Sequence, residues 1–104
     1  MHAIFAFLSA ADLAISEAGG GVPDMLAVLR RAGGEHKHLR TTPNRLLTAA
    51  QALGLDYNLA ALTAARRAGL ADTETIRLDN KLRTTWWLTP LGIEAVDQLL
   101  GAGQ

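Results

Sequence analysis

Ala60, Thr63, Ala64 and Arg67 recur at i, i+3, i+4 and i+7, which on a helix puts two methyls, a hydroxyl and a guanidinium along one side. Asn58 adds a carboxamide at the N-terminal end of that strip. Such a strip fits the major groove of double-helical DNA. Small side chains let the backbone approach, and the methyls of Ala60 and Ala64 can meet those of thymine. Thr63 can bond a base or a phosphate, and Arg67 a guanine or a phosphate. The same residues also suit an ordinary solvated helix, because alanine is a common helix filler and exposed arginine is well hydrated.

Other chemistries find less support. The sequence has no cysteine, so disulfides, thiolate nucleophiles and zinc–cysteine sites are excluded. Ser9 and Ser16 are the only serines, and neither lies in a nucleophile elbow. Gly19-Gly20-Gly21 lacks the lysine of a phosphate-cradling loop. Glu35, His36 and His38 form a small cluster of possible metal ligands. The His-x-His pair alone is a weak signal and no third ligand in the right geometry is evident, so a solvated basic loop is the expectation. The carboxylates are scattered. No enzyme activity, cofactor or metal is expected.

The 104 residues carry ten Lys+Arg and ten Asp+Glu, and 49% are hydrophobic, which fits one folded domain over 1–104 rather than a disordered chain. The zero net charge conceals segregation. Residues 25–45 hold Arg30, Arg31, Lys37, Arg40 and Arg45 against Glu35 alone. Residues 66–83 hold Arg66, Arg67, Arg77, Lys81 and Arg83 against Asp72, Glu74 and Asp79. A neutral chain can therefore present a basic face. The apolar run 2–8 has no Lys/Arg before it and is cut by Asp12, so neither a signal peptide nor a membrane span is expected, and a cytoplasmic location is.

The elements that must position these residues can be read from periodicity and stop signals. A helix is expected over 3–17, with Ile4, Phe5, Phe7, Leu8 and Ile15 covering most of its circumference. It is either the central core helix or, within 1–21, a homodimer interface. A second helix opens at Pro23 and stops at Gly33-Gly34. A third takes Thr42 as N-cap and Pro43 as its first residue, buries Leu46, Ala50 and Leu53, turns Asn44, Thr48 and Gln51 outward, and ends at Gly54. A fourth, capped by Asp56, runs from Tyr57 to Ala68 with Leu59, Leu62 and Ala65 inward.

The period then changes to two. Thr73–Leu78 and Leu82–Leu88 are predicted strands joined through Asp79-Asn80-Lys81, with Arg77, Lys81 and Arg83 near the hairpin tip. Of the adjacent Trp86 and Trp87, one is expected in the core and the other at its rim. Thr89-Pro90 opens a last helix with Leu91, Ala95, Val96 and Leu99 on its apolar side.

This order resembles a winged helix-turn-helix, of the general kind found in small bacterial transcriptional regulators. Arg45–Leu55 (RLLTAAQALGL) looks like the first helix of the motif with its glycine turn. Asn58–Leu70 (NLAALTAARRAGL) resembles a recognition helix with a Gly-Leu exit. Trp86–Gly92 (WWLTPLG) is similar to the end of a wing, where Leu-Thr-x-x-Gly opens the next helix. The resemblance covers 42–100 and implies a mainly α fold with a small β-hairpin wing (α+β), preceded by an additional N-terminal helix. It further implies a double-stranded DNA-binding regulator, a repressor in the simplest case, with 57–68 in the major groove and the wing 73–88 on the flanking backbone. The expected DNA contacts are Arg40, Thr42, Asn44, Arg45, Asn58, Ala60, Thr63, Ala64, Arg67, Arg77, Lys81 and Arg83. The alternative is a winged-helix adaptor that binds another protein instead of DNA.

Overall fold

The computed structural model describes Ala14 and residues 19–101. The helix expected over 3–17, with Ile4, Phe5, Phe7, Leu8 and Ile15, lies outside the described residues except at Ala14, which is helical and buried in the main core. Then follow α1 (Val22–Arg31), a 3-10 turn (Lys37–Leu39), α2 (Pro43–Leu53) and α3 (Leu59–Arg67). The chain continues through β1 (Ala71–Leu78), β2 (Lys81–Leu88) and α4 (Pro90–Gly101).

α1 is the centre of the described fold, packing on α2, α3, α4 and β2. Its buried residues are Val22, Met25, Leu26, Val28 and Leu29, a helical stripe broad enough to touch several neighbours. Asp24 in its first turn and Arg30 and Arg31 in its last complement the helix dipole. α2 begins as its sequence requires: the Thr42 hydroxyl accepts from the Arg45 N–H at 3.5 Å, and Pro43 occupies the first turn. Gly54, with φ 70°, reverses the chain and delivers Leu55 to the core. Leu53, expected inside, is therefore outside and 42% exposed, because Leu55 fills the place beyond the turn.

α3 departs from expectation at its start. Asn58, rather than Asp56, is the N-cap, its Oδ1 accepting from the Ala61 N–H at 3.1 Å. The Asn58 N–H meanwhile donates to Met25 Sδ at 3.4 Å, tying this cap to α1. The buried arc is Ala61, Leu62 and Ala65; Leu59 falls off it and is 55% exposed.

β1 and β2 form an antiparallel ladder from Ala71↔Leu88 to Leu78↔Lys81, so β1 begins two residues before the expected Thr73. The Asp79-Asn80 turn has φ 52° and 63°, the two-residue geometry whose twist matches the strands. Thr41 adds a one-residue third edge. Its N–H donates to the Trp86 carbonyl and the Trp86 N–H to its own, both at 2.8 Å. The inner half of β2, Thr85–Leu88, is buried, while Lys81–Thr84 are exposed. The hairpin is a wing.

Trp86 joins the core from one face of this sheet, and Trp87 points to the other. Trp87 stays outside that core cluster, as expected of the rim residue, but it is not partly exposed. It is buried because the chain at 37–40 covers it: Lys37 Nζ lies 6.0 Å and the Arg40 guanidinium 5.6 Å from its ring centroid.

α4 is capped by Thr89, whose Oγ1 accepts from the Gly92 N–H at 3.0 Å and donates to the Gly69 carbonyl at 2.6 Å. Ala95 and Val96 are buried, whereas Leu99, expected on the apolar side, is 42% exposed. Gly92 has a steric reason: a Cβ there would be driven into the Leu70 carbonyl oxygen.

Candidate nucleic-acid interface

The cations divide into two sets by what they touch. Arg30 pairs with Glu35 at 3.1 Å and Asp97 at 2.8 Å, and Arg66 with Asp72 at 3.7 Å. Lys37 and Arg40 share Glu74, at 3.6 and 3.5 Å. These four tie one element to another. Arg31, Arg45, Arg67, Arg77, Lys81 and Arg83 make no ion pair among the described residues, and all six are exposed. Arg45 belongs to α2, Arg67 to α3, and Arg77, Lys81 and Arg83 to the wing.

Arg40 departs from the role expected of it. Its Nε donates to the Lys37 carbonyl at 3.0 Å, its Nη1 reaches Glu74, and its guanidinium covers Trp87. That geometry turns it toward the sheet. Glu35 is likewise engaged with Arg30 rather than with His36 or His38. Among the described residues, no group of three or more His, Asp or Glu side chains is placed to hold a metal ion.

On α3, Ala60 and Arg67 are exposed, while Thr63 and Ala64 are half-buried, Ala64 packing against the core. The Thr63 hydroxyl donates to the Leu59 carbonyl at 3.0 Å, leaving its oxygen lone pairs to accept. Asn58 is exposed, but its carboxamide oxygen serves the helix cap and its NH2 lies close to Gly21 at the start of α1. The face thus presents the Arg67 guanidinium, the Thr63 hydroxyl oxygen and little else that is polar.

Across from the wing, Thr42, Pro43 and Asn44 line a cleft of about 320 Å³ whose other wall is Leu78, Asp79, Leu82, Arg83 and Thr84. Asn44 also lines a second concavity of about 380 Å³ between α1 and α2, with Arg31, Arg45 and Thr48 on its rim. Arg83, the start of α2, and Arg31 therefore flank one connected surface. The charge count of 25–45 contained Arg31, but only the packing of α1 on α2 places it beside Arg45. Tyr57, half-buried before α3, has its phenol pKa raised above the ordinary 10.0 by loss of solvent.

Three helices, a paired hairpin projecting from them, a one-residue third edge and a closing helix constitute a winged helix-turn-helix, an α+β fold. The solved structure of a PadR-like transcription factor from Bacteroides fragilis is similar to this chain, with a TM-score of 0.56. The two are 14% identical, over 78% of this chain and 82% of that one. At that identity the likeness is one of fold. No family model and no curated protein matches the chain. Among the described residues, no helix is long and apolar enough to cross a membrane.

Proposed function

We propose that this protein binds double-stranded DNA and regulates transcription, as a cytoplasmic repressor that occupies a promoter. The observation that carries the reading is that Arg45, Arg67, Arg77, Lys81 and Arg83, on the helix-turn-helix and wing, are exposed and make no ion pair among the described residues. The similar fold of a protein described as a transcription factor supports it. A helix of about 10–12 Å diameter fits a major groove about 12 Å wide. α3 would enter that groove with Asn58 leading, Ala60 and Ala64 against the bases, and Thr63 and Arg67 bonding bases or phosphates. Arg77, Lys81 and Arg83 would hold the flanking backbone, and Thr42, Asn44 and Arg45 a phosphate at the start of α2.

The apolar segment 3–17 is the proposed homodimer contact, which would place two α3 helices on two half-sites. Its deletion should give a monomer or an aggregating chain by light scattering. A protein-binding adaptor is the second reading, favoured by Leu59, which is 55% exposed at the start of α3.

Anisotropy of labelled genomic-fragment DNA tests the two. The DNA reading expects saturable binding that weakens steeply with salt and falls in Arg67→Ala and Lys81→Ala. Undiminished affinity in both variants would overturn the assigned face. An absence of binding at low salt favours the adaptor.

A further inference from the structure

Leu82 is the most exposed large apolar side chain among the described residues, at 69%. It stands in the outer half of β2, directly opposite Arg77 and between Lys81 and Arg83 along the strand. The arm closes two residues beyond Leu78 in the tight Asp79-Asn80 turn, so it ends in a narrow tip. A single exposed leucine is ordinary on a protein surface. This one differs in its setting, in the outer half of the wing on the wall of the cleft that faces Thr42–Asn44. Arg77, its cross-strand partner, shares its face of the ribbon, while Lys81 and Arg83 point to the other. None of these cations is ion-paired among the described residues.

An apolar protein surface closing over Leu82 would strand the Arg77 charge on the same face out of water at a high cost. The walls of a DNA groove would not, because phosphates line both sides of an apolar stack of bases. The α3 face supplies a second observation. With Asn58 Oδ1 engaged in capping and Ala60 and Ala64 apolar, it has few groups to read base edges. Only Thr63 and Arg67 are left to read bases, so the ease with which a site deforms adds to the selectivity.

We infer that Leu82 is a wedge that enters the minor groove and slides between two base pairs, unwinding and bending the duplex at that step. Arg77, Lys81 and Arg83 hold the phosphates on either side. Apolar side chains inserted in this way partly unstack the step, and the energy required is lowest at flexible TA and CA/TG steps. The wing thereby selects sequence without bonding to a base. This inference rests on the DNA-binding reading above.

Linking number tests it without knowledge of the operator. Nicked plasmid DNA is sealed with ligase in the presence of increasing protein, and the product's linking number is measured after the protein is removed. Occupancy is followed in parallel by anisotropy on a labelled duplex cut from the same plasmid. The wild-type protein should change linking number in proportion to the amount bound. Leu82→Ala should bind within about tenfold of wild type, since phosphate contacts carry most of the affinity, yet lose most of the change per bound protein. Leu82→Phe, which keeps an apolar wedge, should retain it. Because the side chain is exposed, circular dichroism and the urea midpoint of both variants should match wild type.

If Leu82→Ala changes linking number as wild type does, or wild type binds and changes nothing, the wedge is overturned and DNA binding stands. If wild type fails to bind even at low salt, both are overturned.

Discussion

The Arg40 guanidinium lies 5.6 Å from the Trp87 ring centroid while its Nη1 reaches Glu74, so a cation two residues before the α2 cap faces the sheet. Its stem and its charge together cover an indole that would otherwise lie in water. Replacing Arg40 by Ala should lower the unfolding free energy by about 1 kcal/mol, from a cation–π contact and a weak ion pair. Urea denaturation measures this, and red-shifted tryptophan emission should accompany it as Trp87 becomes wet. The salt dependence of DNA binding should stay as in wild type.

Gly92 lets α4 lie against the Leu70 carbonyl, and the obstacle to a larger residue is backbone rather than a movable side chain. Gly92→Ala should therefore destabilise by about 3 kcal/mol, the upper part of the overpacking range. Alanine is the better helix former, so a gain in stability would show that α4 is not held this closely. The urea midpoint decides.

Thr41 uses its backbone in the bridge to Trp86, but its buried Oγ1 has no hydrogen-bond partner among the described residues. Thr41→Val keeps the shape and removes the unpaired hydroxyl. It should raise stability by about 1 kcal/mol. A loss of similar size in thermal or urea unfolding would mean that the hydroxyl is satisfied in solution.

Tyr57 is the only tyrosine, and burial raises its pKa above 10.0. The folded state therefore keeps the phenol proton to higher pH than the unfolded chain does. Its contribution is fully present below the unfolded pKa of about 10 and is lost as pH rises through the folded value. Between about pH 8 and about pH 11, Tyr57→Phe should lose less stability than wild type. Equal losses in urea unfolding at the two pH values would contradict a buried phenol.

Much of this architecture was legible in the sequence because its punctuation is local. Thr42-Pro43 and Thr89-Pro90 act through bonds within one turn, and both caps form. The same is true of the Asp79-Asn80 reversal. What was not legible depends on distant partners. Asp56 and Asn58 are both capping residues, and the contact from the Asn58 N–H to Met25 in α1 favours the second. Trp87 is covered by a loop about fifty residues earlier, which no strand period reveals. Thr41 pairs as a single residue, too short for any periodicity. On the candidate interface, the sequence named the cations but not their partners. Only the packed structure separates Arg40 and Arg66, which pair with Glu74 and Asp72, from Arg67 and Arg83, which pair with nothing among the described residues.

The division of the cations is most directly tested by the slope of log K against log salt for DNA binding. The measurement runs from about 50 to about 200 mM, on wild type, Arg67→Ala/Lys81→Ala and Arg40→Ala. Each phosphate contact removed should flatten the slope by about 0.9, so the double variant should lose about 1.8 where Arg67 holds a phosphate and about 0.9 where it reads a base, and Arg40→Ala nothing. A double variant with the wild-type slope, or a wild-type protein that does not bind at the lowest salt, would contradict the assignment.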